Sequence, residues 1–154
     1  MVSGKYFEDL SVGDRFHTPS RTVTETDIVN FVCLAGLHEE LFLSLEYIEK
    51  ESLFSRRIAP GVLTYALAEG LTVQSGLFHG TGMALLGTEI QIRAPVFCGD
   101  TIRVEIQVTL KRETSKPDRG IIVASHTVTN QRGETVMAYT VSRMVQRRAS
   151  PKQP

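Results

Sequence analysis

The stretch from Arg57 to Leu77, Arg-Ile-Ala-Pro-Gly-Val-Leu-Thr-Tyr-Ala-Leu-Ala-Glu-Gly-Leu-Thr-Val-Gln-Ser-Gly-Leu, decides the fold class. Pro60 suits the first turn of a helix, where its missing N–H would have no partner anyway. Val62, Leu63, Tyr65, Ala66, Leu67, Ala68, Leu71, Val73 and Leu77 follow, and between Gly61 and Leu71 only Thr64 and Glu69 are clearly polar. A helix apolar on nearly every side has to be buried on nearly every side. This one is too short and too polar-flanked for a bilayer, which needs about 20 apolar residues. A sheet is therefore expected to wrap it.

The residues that follow supply that sheet. Ile102, Val104, Ile106, Val108 and Leu110 alternate with Arg103, Glu105, Gln107, Thr109 and Lys111, a strand with one buried and one wet face. Lys116 to Gly120 is a turn, Ile121 to Thr129 a strand, Asn130 to Gly133 another turn, and Val136 to Val145 the last strand. Ala84 to Ala94 makes an earlier strand, stopped by Pro95 and by Gly99-Asp100. On the other side of the central helix, Asp14 to Val23 reads as a first strand. Thr24 and Asp27 then form a capping-box-like pair. The helix they open carries Ile28, Phe31, Val32 and Ala35 as its apolar stripe and stops at Gly36. Leu37 to Leu43 reads as irregular, and Leu45 to Phe54 as a short helix. Four long strands after one apolar helix make an α+β fold with an antiparallel sheet.

With 154 residues the chain fits one domain. Lysine plus arginine equals aspartate plus glutamate, 17 against 17, so no charge excess points to nucleic acid. Cys33 and Cys98 cannot make a disulfide framework and are expected to be small buried hydrophobes. Met1 to Phe16 lacks the apolar core of a signal peptide. No apolar run approaches a membrane span, so a cytoplasmic location is expected. Arg147 to Pro154 is polar and reads as a frayed tail. No metal-ligand spacing, glycine-rich phosphate loop or nucleophile elbow occurs, and no cofactor is expected.

A long antiparallel sheet curled round one apolar helix is the hot-dog arrangement. Four segments carry a further resemblance: Tyr6-Phe7-Glu8-Asp9-Leu10-Ser11-Val12-Gly13-Asp14, Arg21-Thr22-Val23-Thr24-Glu25-Thr26-Asp27-Ile28, Arg57-Ile58-Ala59-Pro60-Gly61, and Ala94-Pro95-Val96-Phe97-Cys98-Gly99-Asp100. In this order they resemble the MaoC-like family, which contains R-specific enoyl-CoA hydratases and 3-hydroxyacyl dehydratases. The resemblance implies a single hot-dog domain over residues 1–147 and a tail over 148–154. Family members usually carry a catalytic Asp and His five residues apart, in a motif like Gly-Asp-x-Asn-Pro-x-His after the first helix. Here that segment is Gly36-Leu37-His38-Glu39-Glu40-Leu41-Phe42. Leu37 and Phe42 stand where the pair is expected, and a one-residue shift puts His38 and Leu43 there instead. The histidine often found before the helix glycine is Pro60.

Hydrating an α,β-unsaturated thioester needs a base for water, a proton for the α-carbon, and donors for the enolate oxygen. Leu37 and Phe42 do none of the proton work. By resemblance, Pro60, Gly61 and Val62 are the thioester-binding residues, with the free amides of the helix start facing the carbonyl. Two sets of side chains are candidates to replace the pair. His38 and Glu39 (with Glu40 beside them) lie in the right loop, as a base and its orienter. Glu69 stands alone on the apolar helix, at a place where some hot-dog thioesterases carry a carboxylate. His17 and His126 lie on strands and His79 in a loop, where structural roles are expected. Arg143, Arg147 and Arg148 are candidate contacts for a phosphopantetheine or CoA phosphate. The leading expectation is an acyl-thioester-binding chain, for acyl-CoA or acyl-ACP, that lacks the standard dyad and acts as a binding or partner subunit. It would form a homodimer, or a heterodimer with an active MaoC-like subunit. An active hydratase or dehydratase using His38 and Glu39, and a thioesterase using Glu69, are the alternatives.

Overall fold

The computed structural model describes residues 4–148. A 3-10 turn, Phe7–Asp9, precedes β1 (Arg15–His17), β2 (Arg21–Thr22), α1 (Glu25–Ala35), α2 (Glu40–Leu43), α3 (Leu45–Lys50), α4 (Gly61–Gln74), β3 (Gly82–Ile92), β4 (Thr101–Glu113), β5 (Arg119–Thr129) and β6 (Thr135–Gln146). The strands form one antiparallel sheet in the order β1-β4-β5-β6-β3, with β2 also on β4. β4, β5 and β6 are joined by hairpins. β3 does not pair with the β4 that follows it but lies beyond β6, so Arg93 to Asp100 carries the chain between the two sides.

Local chemistry accounts for the elements. The Thr24 hydroxyl accepts from the Asp27 amide at 3.1 Å, the Asp27 carboxylate accepts from the Thr24 amide at 2.9 Å, and Gly36 ends α1 at φ +69°. Asp100 holds the turn before β4. It is 1% exposed and accepts from the Phe97 amide, Gln131 and Arg132. Burial pushes its carboxyl up, but these donors outweigh it and hold the group below the usual carboxylate range.

Several expectations need correction. Asp14 to Val23 is two short strands, because Pro19 has no amide to give the ladder; the Thr18 hydroxyl instead accepts from the Val104 amide at 3.0 Å. α3 stops at Lys50, where the Ser52 hydroxyl donates to the Ile48 and Phe54 carbonyls. Leu37 to Leu43 is not wholly irregular, since α2 gives it one helical turn. Leu110 is 46% exposed because a bulge between Val108 and Leu110 flips the alternation. Cys33 is exposed on the outer side of α1, and Cys98 is half-buried.

The central helix is also less enclosed than its composition implies. Leu63, Ala68 and Leu71 join Val104, Ile106, Ile122 and Val141 in the core, whereas Val62 is 56% and Val73 68% exposed, with Ala66 exposed between them. One sheet covers one side of α4, and the other side lies open beside β3. Every residue of β3 is exposed, including Met83, Leu85, Leu86, Ile90 and Ile92.

Candidate functional site

The start of α4 is held by a short antiparallel bridge. Ile58 pairs with Phe97, the Ala59 amide donates to the Val96 carbonyl at 2.8 Å, and the Cys98 amide donates to the Arg57 carbonyl at 2.9 Å. Pro60 therefore arrives in a fixed place as the residue before the helix, with φ −52° and ψ 140°. Its carbonyl accepts from the Leu63 and Thr64 amides. The amides of Gly61 and Val62 have no intrahelical acceptor, and Pro60 has no side-chain group to cap them. Among the described residues they are free donors, at the positive end of a 14-residue helix.

A cavity of about 320 Å³ opens at this helix start. Its wall includes Phe54, Ile58, Gly61, Thr64, Ile92 and Val136, and Arg93 also lines it. A Cβ at Gly61 would collide with the Ile92 side-chain tip, so a side chain here would crowd that wall. A larger groove of about 720 Å³ lies near the other end of α4, lined by Tyr6, Arg15, Ser75 and Arg148. Its two arginines already pair with Glu105 and Asp9. The smaller cavity is the better site, because Gly61 at the helix start lines it beside an apolar wall.

The two candidate replacements for the acid–base pair lie elsewhere. His38 and Glu39 are exposed between α1 and α2 and do not line the cavity. Leu37, on the same loop, and Phe42, in α2, pack against the core. Arg57 pins this loop by donating to the Phe42 carbonyl, and pairs with Glu25 at 3.1 Å.

Glu69 faces the sheet. Arg143 on β6 lies 2.5 Å from one carboxylate oxygen, and the Tyr139 hydroxyl donates to the other at 3.1 Å. Tyr139 stacks on His126 with ring centroids 4.5 Å apart and meets the Tyr65 edge at 5.1 Å. Burial and the Glu69 carboxylate both push the Tyr139 hydroxyl up, so it stays a donor. Arg143, Arg147 and Arg148 are engaged by Glu69, by Glu8 and Glu113, and by Asp9. His17 and His79 are exposed on β1 and in the turn before β3. Among the described residues, no group of His, Cys, Asp and Glu is placed to hold a metal ion, and no helix is long and apolar enough to cross a membrane.

His126 is 2% exposed, with Nδ1 3.3 Å from the Ala124 carbonyl and Nε2 without a partner. Burial lowers its pKa to about 4, with Arg143 adding to the shift and Glu69 opposing it. The unfolded chain takes up this proton near pH 6.5, so folding stability is complete above that and falls as the pH drops toward 4. A shift of this size corresponds to about 3 kcal/mol. His126→Phe should keep the stack on Tyr139 and flatten that part of the profile. Urea titrations of both proteins between pH 7 and 4 check this; parallel profiles would refute it.

An antiparallel sheet curled on one long helix, with free amides at the helix start beside an apolar cavity, defines a hot-dog-fold protein. Residues 9–130 match the family model described as MaoC like domain, and the chain belongs to that family. It is 41% identical over 117 residues to Protein MaoC of Klebsiella aerogenes, covering 75% of this chain and 33% of that one. It is 31% identical over 103 residues to a 3-hydroxybutyryl-CoA dehydratase of Methylorubrum extorquens, covering 67% of this chain and 63% of that one. The chain thus spans a third and somewhat under two thirds of these relatives. A crystal structure of a MaoC-like dehydratase from Rhodospirillum rubrum superposes with a TM-score of 0.86 at 33% identity, covering 96% of this chain and 100% of that one.

Proposed function

We propose that this chain binds an acyl thioester, of CoA or of acyl carrier protein, in the cavity at the start of α4, and serves a MaoC-like hydratase or dehydratase as a binding or partner subunit. The observation that carries this is the loop after α1. Leu37 and Phe42, which stand where the resemblance puts the acid and the base, pack against the core, while His38 and Glu39 stay in solvent. The free amides of Gly61 and Val62 are suited to a thioester carbonyl, and their pull on the oxygen would persist without the dyad. With donors but no proton carrier at the cavity, binding is supported and proton transfer is not. The open edge of β3 and the bare flank of α4 support a dimer, with a second copy or with an active MaoC-like subunit.

Hydration of crotonyl-CoA tests the proposal. The pure chain should give no rate above background. Mixing it with an active family member from the same source should raise the rate above that member's own. Robust hydration by the pure chain, lost in His38→Ala, would replace this reading with an active enzyme using His38 and Glu39.

A further inference from the structure

Two cavities flank α4 on the side that faces β3, one at each end of the helix. The first is the cavity at the helix start. The second, of about 330 Å³, is lined by Thr72, Val73, Phe78, Leu85 and Arg143, among others. Gly61, Tyr65, Glu69 and Val73 follow one another at four-residue steps, so they form a single row along the helix. Across from this row, β6 places Met137 in the first cavity, Arg143 in the second and Tyr139 between them. β3 runs alongside, with Ile92 beside Met137, Ile90 beside Tyr139 and Leu85 beside Arg143. The two cavities are therefore the ends of one trough, and a chain of polar contacts divides them. The Tyr65 ring meets the Tyr139 ring at 5.1 Å, the Tyr139 hydroxyl donates to Glu69 at 3.1 Å, and Arg143 donates to the other Glu69 oxygen at 2.5 Å. Glu69 is the one charged residue of α4.

Resting on the thioester reading above, we infer that the Glu69–Arg143 pair is the stop that sets how far an acyl chain can run along this trough. With the thioester carbonyl on the Gly61 and Val62 amides, the acyl chain points down the row. Tyr65 lies about 6 Å and Glu69 about 12 Å along the helix axis from Gly61. A butyryl chain ends before the pair and meets only the apolar wall of the first cavity. An octanoyl chain comes up against the carboxylate and the guanidinium. These two groups keep 16% and 13% exposure, and an alkyl chain laid on them would remove that water and return no hydrogen bond. The second cavity stays out of reach while the pair stands.

Calorimetric titration of the full chain with free CoA, butyryl-CoA and octanoyl-CoA tests this. Each methylene buried without hindrance raises affinity about 4-fold, so four more would give octanoyl-CoA an advantage of more than about 100-fold over butyryl-CoA. The parent protein should show less than about 3-fold, with free CoA weaker than both. Glu69→Leu with Arg143→Met should raise the octanoyl advantage to at least about 10-fold and leave butyryl-CoA affinity within about 3-fold of the parent. Should that variant fail to fold, Glu69→Gln with Arg143→Leu keeps an acceptor for Tyr139 and reads the same ratio. Tyr65→Ala leaves the pair in place and should change the ratio by less than about 3-fold. An octanoyl advantage above about 10-fold in the parent, or one that neither double variant raises, would overturn this inference and leave the thioester reading standing. The full gain in Tyr65→Ala would overturn it too, by making the ring the stop. Free CoA binding as tightly as both acyl-CoAs, or binding of none of the three, would overturn both readings.

Discussion

Glu69→Leu will lower the stability of the protein by about 2–4 kcal/mol, because it leaves a guanidinium and a phenol without their acceptor in a nearly dry site. Arg143 and Glu69 are 13% and 16% exposed, and Tyr139 is 3% exposed. Breaking a buried pair by removing one partner typically costs about 3–5 kcal/mol; the residual solvent contact trims that figure here. For a chain of this size the loss corresponds to a fall in Tm of very roughly 6–12 °C. Glu69→Gln keeps an acceptor for Tyr139 and should lose about half as much. Glu69→Leu combined with Arg143→Met removes both charges together and should recover most of the loss, as replaced buried pairs often do. Thermal and urea unfolding of the two single variants and the double variant form a cycle that isolates the pair. A single-variant loss under about 0.5 kcal/mol would show that the pair is solvated and contributes little. The same geometry bears on thioester hydrolysis. Both Glu69 carboxylate oxygens are engaged, one by Arg143 and one by Tyr139, so thiol release from acyl-CoA should be at background and unchanged in Glu69→Gln.

Features set by neighbours in the chain were legible in the sequence. The Thr24–Asp27 box, the Gly36 stop, the α4 start after Pro60 and the alternation of β4 as far as Val108 all stand as read. Each depends on residues within a few positions of one another. What was not legible depends on partners far apart. Glu69 showed as an oddity on an apolar helix, but Arg143 lies 74 residues away and nothing local joins them. Thr64 was visible as a polar residue on α4, yet its place on a cavity wall follows from Val136 and Ile92, brought there by β6 and β3. Arg93 gave no signal at all. β3 looked like one more strand before β4, and its position beyond β6 follows from non-local pairing. The composition of α4 carried a real ambiguity. An all-round apolar helix is equally consistent with burial by its own sheet and with burial partly by another chain, and the stripe Val62, Ala66 and Val73 is left exposed by the sheet of one chain, where the proposed dimer would cover it.

That stripe and β3 together give the second large effect. Leu86→Lys with Ile90→Lys should turn a dimer into a monomer without unfolding it. β3 has hydrogen-bonded neighbours on one side only, and its eleven residues are exposed although it carries a single charge, Glu89. An edge strand this long and apolar is ordinarily shielded by lysines, prolines or a bulge. Here the bulges near Gly82 and Gly87 leave Thr88 to Ile92 in regular register with β6, and that half of the strand is flat enough to accept another strand. A two-fold pairing centred on Ile90 would keep Thr88 to Ile92 of both copies together and set Glu89 opposite Gln91 of a second copy, so like charges would not meet. Leu86 and Ile90 are 48% and 37% exposed, so covering the remainder contributes roughly 0.5–1.5 kcal/mol per side chain, under half the value for full burial. Two lysines on one β3 repel their copies as well. The expected weakening is at least about 100-fold in Kd, which is about 2.7 kcal/mol. Light scattering after gel filtration reads it directly: twice 17.1 kDa for the parent and 17.1 kDa for the variant. Unfolding midpoints taken at low protein concentration, where both are monomers, should nearly coincide, because neither side chain belongs to the buried core of one chain. A parent protein that stays at 17.1 kDa at high concentration would remove the dimer from the proposal. A parent that gains mass only when mixed with a second family member would make the partner on β3 a different chain.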